Sequence, residues 1–398
     1  MGVILIAYSQ CIGYYMNYAN LKQILTLLAL FFTAYFLYSF IKSKKDTPLN
    51  QTLKQATAKS GITENYFEGK TIEWIVPFKE GGGGDTWTRF NAPFLSKHLP
   101  GNPTIIVTNI PGGGSIKGAN LFAERAKPDG LMIFGTSGST QMPFLLDDPR
   151  VKYNYANYKP LMAFPNGGVV YVSSDLGIKD ATEIAKIKDL PLLYASQGPT
   201  SLDLVPNISF ELLGLNIKSI FGFRGRGAGR LAFERGEVKI DYQTSAAYLK
   251  NVVPLVKSGE AIPLWSWGVL DEHGELARDP SFPELPHFGE VYEIIHGKKG
   301  EGIAFDSWFA TMAAGFGGMK LLLVPNETPD EIEAIYQKAI TEMKKDSEYQ
   351  ARKGKAIGLY EQVIGQKALK IFDLATNIAR EEKEWCKNFL REKYDLNI

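Results

Sequence analysis

Apolar and polar positions along residues 70–140 repeat in a strand, turn and helix pattern. Three short apolar runs, each typical of a buried strand, lie at 72–76, 104–110 and 131–135. The first two runs lead through glycine-rich turns into segments with helical spacing, which start near Trp87 and at Ile116. Because strands that alternate with helices at this spacing usually pair in parallel, the pattern predicts an α/β fold with helices on the faces of a parallel sheet.

The same alternation continues towards the carboxyl end of the chain. Further strands are predicted at 168–174, 191–195, 218–223, 237–242, 261–268 and 305–316, and further helices at 181–187, 230–235, 329–345 and 366–394. Another helix is expected to start within 196–201. The helix at 329–345 has the fullest set of signals, with Thr328 as its N-cap and Pro329 as its first residue.

Four consecutive glycines, Gly81–Gly84, follow the first strand at once. Asp85 and Thr86 can each cap the helix behind them. The N-terminus of such a helix presents free backbone N–H groups and the positive end of the helix dipole, and glycines let a ligand approach the backbone closely. We therefore expect the turn to hold an anionic group; the alternative is a tight turn without a ligand.

Polar residues follow other strands in the same way. Pro111–Gly114 repeats the design of the first turn, and hydroxyl-bearing residues occupy 136–140 and 196–201. Ligands of α/β sheets bind beyond the carboxyl ends of the strands. The glycine turn and the 136–140 cluster both lie at such ends, which strengthens the expectation of a binding site there.

Composition limits the class of protein. The 398 residues suffice for two domains, and the formal net charge of +1 lacks the basic excess of a nucleic-acid binder. The two cysteines, Cys11 and Cys386, lie at opposite ends of the chain, and the four histidines lack metal-ligand spacing. We expect neither a disulfide, nor a metal, nor a cofactor.

The motifs of common enzymes are absent from the sequence. Ser137 lies in GTSGST rather than in a nucleophile elbow, EGGGGDT lacks the Gly-Lys-Ser/Thr of a phosphate loop, and GRGAGR ends in Arg230. Arg224, Arg226 and Arg230 form a basic cluster that could hold a carboxylate, although a solvated loop is favoured for Arg226 and Arg230. For Trp265, Trp267 and Trp308, core packing is favoured over a place in a cleft.

The amino-terminal segment is apolar from residue 24 to residue 41, which is just long enough to span a bilayer. A signal peptide, starting at Met1 or Met16, and an uncleaved transmembrane anchor are both possible interpretations. No small-residue cleavage site follows the run, which favours the anchor. The lysines after it favour a cytoplasmic carboxyl side, in conflict with export. Cleavage of residues 1–45 is left open.

Six stretches resemble the periplasmic solute-binding proteins of tripartite tricarboxylate transporters, the TctC or Bug family. They cover about residues 68–395 and read IVPFKEGGGGDTWTRF, TNIPGGGSIKGAN, KPDGLMIFGTSGST, LLYASQGPTS, the Phe-Arg-Gly step at 223–225, and SWFATMA followed by VPNETPDEI. The resemblance implies two α/β lobes of a type II-like periplasmic binding protein that close over a small organic acid. It divides the folded part into lobe 1 (68–166 plus 287–395) and lobe 2 (167–286), and the residues before it form a signal or anchor segment (1–45) and a polar tether (46–67).

The resemblance also implies the residues that contact the carboxylate. By position these are Phe78, Gly82, Gly83, Asp85, Thr136, Ser137, Ser139, Thr140, Ser196, Gln197, Thr200 and Ser201, to which we add Arg224 and Gln243. Family members usually carry aspartate where this chain has Gln243, with Asp241 two positions earlier, so the ligand group accepted there is expected to differ.

The resemblance predicts a monomeric, non-catalytic protein of the periplasm, tethered to the inner membrane if residues 24–41 are retained. Its ligand is expected to be a di- or tricarboxylate or an aromatic carboxylate, delivered to membrane permease subunits. A sensory role would use the same site with another partner. The alternative of a different class is an α/β enzyme that binds a nucleotide or phosphate at the glycine turn.

Overall fold

A computed structural model of the chain describes residues 62–271, 274–396 and 398. The predicted segment 1–45 and most of the 46–67 tether lie outside these residues. None of the helices within the described ranges combines the length and the apolar character needed to cross a bilayer. Residues Thr63–Ile398 form one compact unit.

The strands of the described residues supply two five-stranded sheets and one short hairpin. They are β1 (Thr71–Val76), β2 (Thr104–Asn109), β3 (Met132–Ser137), β4 (Tyr158–Phe164), β5 (Gly168–Ser173), β6 (Leu192–Ala195), β7 (Ile217–Ile220), β8 (Ile240–Thr244), β9 (Ala261–Ser266), β10 (Val269–Leu270), β11 (Leu276–Ala277) and β12 (Lys320–Pro325).

Helices connect and cover these strands. The α-helices are α1 (Gly83–His98), α2 (Ile116–Arg125), α3 (Gly138–Leu145), α4 (Leu204–Leu212), α5 (Arg226–Glu234), α6 (Ser245–Asn251), α7 (Val253–Lys257), α8 (Phe288–His296), α9 (Ile303–Met312), α10 (Asp330–Lys345), α11 (Ser347–Ile357), α12 (Gly365–Thr376) and α13 (Arg380–Tyr394). Short 3-10 helices occupy Gly113–Ser115, Tyr155–Asn157, Ser174–Leu176 and Ala181–Ile187, and a π-helical turn occupies Ala313–Gly317.

The first sheet has the strand order β2-β1-β3-β12-β4. β1 pairs in parallel with β2 and β3, which confirms the predicted arrangement of the first three strands. β12, which was not predicted, lies antiparallel between β3 and β4, so the sheet as a whole is mixed rather than parallel. The chain enters β12 at the carboxyl end of β3, where Gly138 N–H donates to the Met319 carbonyl at 3.1 Å, and therefore runs in the opposite direction.

The second sheet has the order β7-β6-β8-β5-β9 and is also mixed. β6 pairs in parallel with β7 and β8, whereas β5 is antiparallel to β8 and β9. Trp265, Trp267 and Trp308 are fully buried in the core on this side of the molecule. The prediction that these tryptophans pack in the core is confirmed.

Residues 165–167 carry the chain from β4 in the first sheet to β5 in the second. Gly167 is enclosed there, because an added Cβ would lie 2.0 Å from Asp279 Oδ2 and 2.5 Å from the Tyr360 hydroxyl. Tyr360 OH donates to Asp279 and lies 2.7 Å from Ser245 Oγ. Burial raises the pKa of Asp279 above its usual range. A polar cluster therefore packs around the connection between the sheets.

Several element predictions were wrong. Residues 305–316 form helix α9 and the following turn rather than a strand, because Trp308, Thr311 and Met312 are buried at helical spacing. The predicted 366–394 helix is two helices, α12 and α13, with an extended break at 377–379. The helix expected within 196–201 starts at Leu204.

Several elements were not predicted, among them the buried strands β4 and β12, the short hairpin strands β10 and β11, and the helices α6, α7, α8 and α11. At the start of α10, Pro329 occupies the N-cap position that was predicted for Thr328.

Candidate functional site

Asp85 holds the glycine turn in shape. Its carboxylate accepts hydrogen bonds from the Gly81 backbone N–H at 2.8 Å, from Asn109 Nδ2 at 2.9 Å and from Arg89 Nε at 2.8 Å. The side chain is buried, and it sits inside the first turn of α1 rather than at the cap, which is formed by Gly82. The prediction that Asp85 or Thr86 caps the helix was wrong, but Asp85 does fix the turn.

The turn leaves the N-terminus of α1 open. Gly83 and Gly84 are the first two residues of the helix, so their N–H groups have no acceptor within it. Gly82 and Gly83 are exposed, whereas Gly84 packs against Phe78, and an added Cβ would lie 2.9 Å from the ring. The predicted residues Phe78, Gly82 and Gly83 are therefore brought together with Asp85 at one helix terminus.

The second glycine turn adopts left-handed backbone conformations from Gly112 to Ser115. Ser115 is buried with φ of 97°, and its Oγ donates to the Ser139 carbonyl at 3.3 Å. This contact joins the turn after β2 to the first residues of α3. Two strand ends of the first sheet are thus held against each other.

The 136–140 cluster spans the end of β3 and the start of α3. Ser139 is half-buried, whereas Thr136, Ser137 and Thr140 are buried. The Thr140 carbonyl accepts a hydrogen bond from Tyr153 OH at 2.6 Å. The structure therefore places all four predicted hydroxyls at one strand end and leaves Ser139 the most accessible of them.

Asp203 fixes the loop that follows β6 in the second sheet, just as Asp85 fixes the glycine turn that follows β1 in the first sheet. Its carboxylate accepts from the Gln197 backbone N–H at 2.6 Å, from Ser196 Oγ at 3.0 Å and from Tyr242 OH at 3.0 Å. Asp203 is fully buried and was not predicted as a functional residue. Its position six residues after Gln197, like that of Asp85 four residues after Gly81, was the available signal.

The rest of this loop is accessible from one side. Ser201 Oγ donates to the Gly198 carbonyl at 2.7 Å, and Gln197 and Thr200 are half-buried. The four predicted residues Ser196, Gln197, Thr200 and Ser201 therefore lie in one loop. Ser196 and the buried Ser201 are hydrogen-bonded within the protein, so Gln197 and Thr200 are the better placed to meet a ligand.

Arg226 lies at the centre of a buried charge network. Its guanidinium pairs with Asp203 at 3.2 Å and with Asp241, donates to the Ala195 carbonyl at 2.8 Å, and stacks 4.3 Å from the Tyr242 ring centroid. The solvated-loop interpretation of Arg226 was wrong. Arg226 begins α5, which brings its side chain under the sheet edge rather than towards solvent.

The other two arginines of the cluster differ from Arg226. Arg224 is exposed and forms no ion pair with another described residue, whereas Arg230 pairs with Glu234 along α5. The predicted basic cluster is therefore divided. Arg226 is structural, and Arg224 is the arginine that is free to meet a ligand from solution.

The pKa values in the network follow from burial and charge. Burial raises the pKa of the Asp241 carboxyl against the opposing effect of Arg226. Burial acts to lower the pKa of Arg226, but Asp203 and Asp241 outweigh it and hold that pKa above its ordinary value. Gln243 completes the network, because its Nε2 donates to Asp241 Oδ2 and to the Arg226 carbonyl, each at 2.9 Å. The amide protons of Gln243 are thus used within the protein.

Lys320 is a site residue that the sequence did not suggest. It is the first residue of β12, opposite Ser137 on β3 and Phe164 on β4, and only 8% of it is exposed. Its Nζ lies 6.0 Å from the centroid of the Phe78 ring. Burial lowers the pKa of Lys320 to about 8. The signal for this residue was a lysine inside the apolar run MKLLLVP. It could not be interpreted because β12 was not predicted.

Metal binding finds no support in the part of the chain that the structure describes. No group of three histidine, cysteine, aspartate or glutamate side chains is placed to hold an ion there. The chemistry on offer consists of backbone N–H groups at a helix terminus, hydroxyls, an amide, an exposed arginine and a buried lysine. Such groups can bind an anion.

Comparisons with known proteins agree with this chemistry. The family model of the tripartite tricarboxylate transporter family receptor, TctC, matches residues 89–352. A UPF0065 protein from the tcbD–tcbE intergenic region of Pseudomonas sp. (strain P51) is 25% identical over 231 residues, which are 56% of this chain and 64% of that protein. The chain thus spans less than two thirds of the length of this relative.

Solved structures share the fold. The periplasmic binding protein BugD matches with a TM-score of 0.58 and 18% identity, over 82% of this chain and 99% of that one. MatC from Rhodopseudomonas palustris, solved with bound malate, matches with a TM-score of 0.56 and 20% identity, over 81% of this chain and 99% of that one. At these identities the likeness concerns the α/β architecture with mixed sheets.

Proposed function

The chain belongs to the tripartite tricarboxylate transporter receptor family, and from this membership we propose that it is an extracytoplasmic solute-binding protein that captures a small organic carboxylate. The observation that carries the proposal is the glycine turn. Asp85 fixes Gly81, and the N–H groups of Gly83 and Gly84 stay open at the positive end of α1. A carboxylate is one of the anions that such a terminus and nearby hydroxyls can hold, and the family membership favours it over phosphate.

Capture would proceed by closure of two lobes around the ligand. We assign lobe 1 to 68–166 plus 287–395 and lobe 2 to 167–286, each containing one of the two sheets. Gly82, Gly83 and Ser139 would contact the acid from lobe 1, and Gln197, Thr200 and Arg224 from lobe 2. The connection at 165–167 would serve as a hinge, and hinge closure needs only a few residues to change conformation.

The ligand class and the partners rest on the family. Malate, bound by MatC, is a dicarboxylate, and we propose a di- or tricarboxylate or an aromatic carboxylate for this chain. It would work in the periplasm as a monomer and deliver the acid to permease subunits, or to a sensor. Residues 24–41 would tether it to the inner membrane if they are retained.

A thermal-shift screen of the purified full-length chain in mild detergent tests the proposal. The screen compares malate, succinate, adipate, citrate and benzoate with ATP, GTP and inorganic phosphate, since a ligand of the native state raises the melting temperature. Shifts with carboxylates alone would support a binding protein. Shifts with nucleotides or phosphate alone would overturn it in favour of an enzyme that uses the glycine turn.

A further inference from the structure

Lys320 is the most buried basic side chain of the described residues, and it has no acidic partner among them. Buried charges in proteins are normally paired, because removing an ammonium from water without compensation is strongly unfavourable. Lys159, one strand away on β4, follows this rule, since its ammonium pairs with Glu333 at 2.8 Å and with Asp330 at 3.4 Å. Lys320 departs from it.

The surroundings of Lys320 are uncharged. Ser137 and Phe164 lie opposite it on the two neighbouring strands, and the centroid of the Phe78 ring lies 6.0 Å from its Nζ. None of these side chains titrates near neutral pH, and burial alone accounts for the lowered pKa of Lys320. The fold thus keeps an ammonium in a place where the protein supplies no counter-charge.

The position of Lys320 is at the candidate site. Phe78 follows the β1 strand, and its ring packs both near the Lys320 ammonium and against Gly84 in the first turn of α1. Ser137, opposite Lys320, ends the strand that leads into the 136–140 cluster. The ammonium therefore shares its neighbours with the glycine turn and with the hydroxyl cluster.

We propose that Lys320 is a ligand-binding residue whose ammonium forms an ion pair with a carboxylate of the captured acid. This inference rests on the proposed function and adds a second cation, besides the proposed contact of Arg224, to a site otherwise built of backbone N–H groups and neutral side chains. The missing counter-charge is supplied by the ligand. Lys320 therefore selects acids over neutral molecules of the same shape.

Calorimetric titration of the full-length protein tests the inference. Wild type, Lys320→Met and Lys159→Met are each titrated with malate, succinate, adipate, citrate and benzoate at pH 7. Lys320→Met keeps the length of the side chain and removes its charge, and Lys159→Met is the matched control on the same sheet. We expect Lys320→Met to lose about 10- to 100-fold in affinity and Lys159→Met to bind as wild type does.

Proton uptake separates a binding role from a structural one. At pH 9 the free Lys320 is mostly neutral, and an ion pair with the ligand would require it to take up a proton. Titrations in two buffers of different ionisation enthalpy measure this uptake. We expect close to one proton for wild type and none for Lys320→Met.

The outcomes are distinguishable. Wild type that binds an acid without proton uptake, or Lys320→Met that binds with unchanged affinity, would overturn the role of Lys320 and leave the proposed function standing. Wild type that binds none of the acids would overturn the proposed function itself. The melting temperatures of the free proteins show whether each variant is folded.

Discussion

Asp203 and Arg226 form a buried ion pair, 3.2 Å long, beneath the loop that Asp203 also holds through the Gln197 backbone N–H. The same guanidinium pairs with Asp241, so one cation neutralises part of two enclosed carboxylates. This ion pair therefore supports the 196–201 loop, which follows β6 in the second sheet. It makes Arg226 a determinant of stability, which sets it apart from Arg224 two residues earlier.

Arg226→Met should therefore destabilise the protein strongly. Removing one member of a buried pair leaves an uncompensated charge, which typically costs about 3–5 kcal/mol. Urea unfolding followed by circular dichroism measures the free energy of unfolding. Arg235→Met, which removes an exposed pair with Glu237, is the control and should cost less than about 1 kcal/mol. Equal losses in the two variants would show that the Arg226 network is not structural.

Arg224→Ala should leave stability unchanged and weaken the binding of acids. Arg224 is exposed at the loop before α5 and has no ion-pair partner among the described residues. Losing one exposed cationic contact should lower affinity by roughly 3- to 10-fold. Titration calorimetry with the acid found in the thermal screen gives the affinity, with Arg235→Ala as the control. Unchanged affinity in Arg224→Ala would assign Arg224 to a solvated loop.

Asp85→Ala should loosen the glycine turn. The variant leaves the N–H of Gly81 without its acceptor and leaves Asn109 Nδ2 with only the Phe78 carbonyl, which should cost about 1–3 kcal/mol in the free energy of unfolding. Affinity for the acid should fall by about 10-fold or more, because the N–H groups at the start of α1 lose their fixed arrangement. Thr86→Ala, at the next and exposed position, is the control. An intact fold with wild-type affinity would remove the turn from the site.

Lys320 predicts a particular pH dependence of stability. Its pKa is about 8 in the folded chain, against an ordinary value of 10.5. Below pH 8 Lys320 is protonated in both the folded and the unfolded state. The buried charge then lowers the free energy of unfolding by its full amount, about 3 kcal/mol. Between pH 8 and pH 10.5 the unfolded state binds more protons, so the stability of wild type rises with pH relative to a variant without the group.

Lys320→Met should accordingly be more stable than wild type at pH 7, and the difference should shrink as the pH rises through this window. Urea unfolding of both proteins at pH 7, 8, 9 and 10 measures the difference between their free energies of unfolding. The contributions of the other titrating groups cancel in this difference, because both proteins contain them. A constant difference across the range would contradict a lowered pKa. A wild type that is the more stable at pH 7 would contradict an uncompensated charge.

Gly167→Ala should be poorly tolerated. The added methyl group would overlap Asp279 and the Tyr360 hydroxyl, and forced overpacking typically costs about 1–3 kcal/mol. Gly227→Ala is the matched control, because a Cβ there meets nothing within 4 Å. Thermal unfolding compares the two. A Gly167→Ala protein as stable as wild type would show that the connection between the sheets has room to adjust.

The sequence was informative where local signals agree. The strands β1, β2 and β3 were predicted because each is a short apolar run bounded by turn residues, and their parallel pairing is confirmed. The placing of Asp85 at the glycine turn followed from the same local pattern. Each of these features is signalled within a single strand and the turn that follows it.

The sequence was uninformative where distant segments meet. β12 is a continuous apolar run buried by strands β3 and β4, and such a run has no alternation to distinguish it from a helix. Missing β12 also hid Lys320. Likewise, the spacing of Arg224 and Arg226 does not tell which one turns inward. That choice depends on Asp203 and Asp241, which reach Arg226 only in the folded chain.

The position of β12 in the first sheet also determines which of the two sheets can be completed first during synthesis. All five strands of the second sheet lie within residues 168–266, whereas the first sheet requires residues 320–325 between β3 and β4. Until that segment has been made, β3 and β4 each present an edge without its partner, and the first sheet stays incomplete. Pairing across such a sequence separation is slow. A segment that is translated after the whole of the second sheet therefore completes the first sheet.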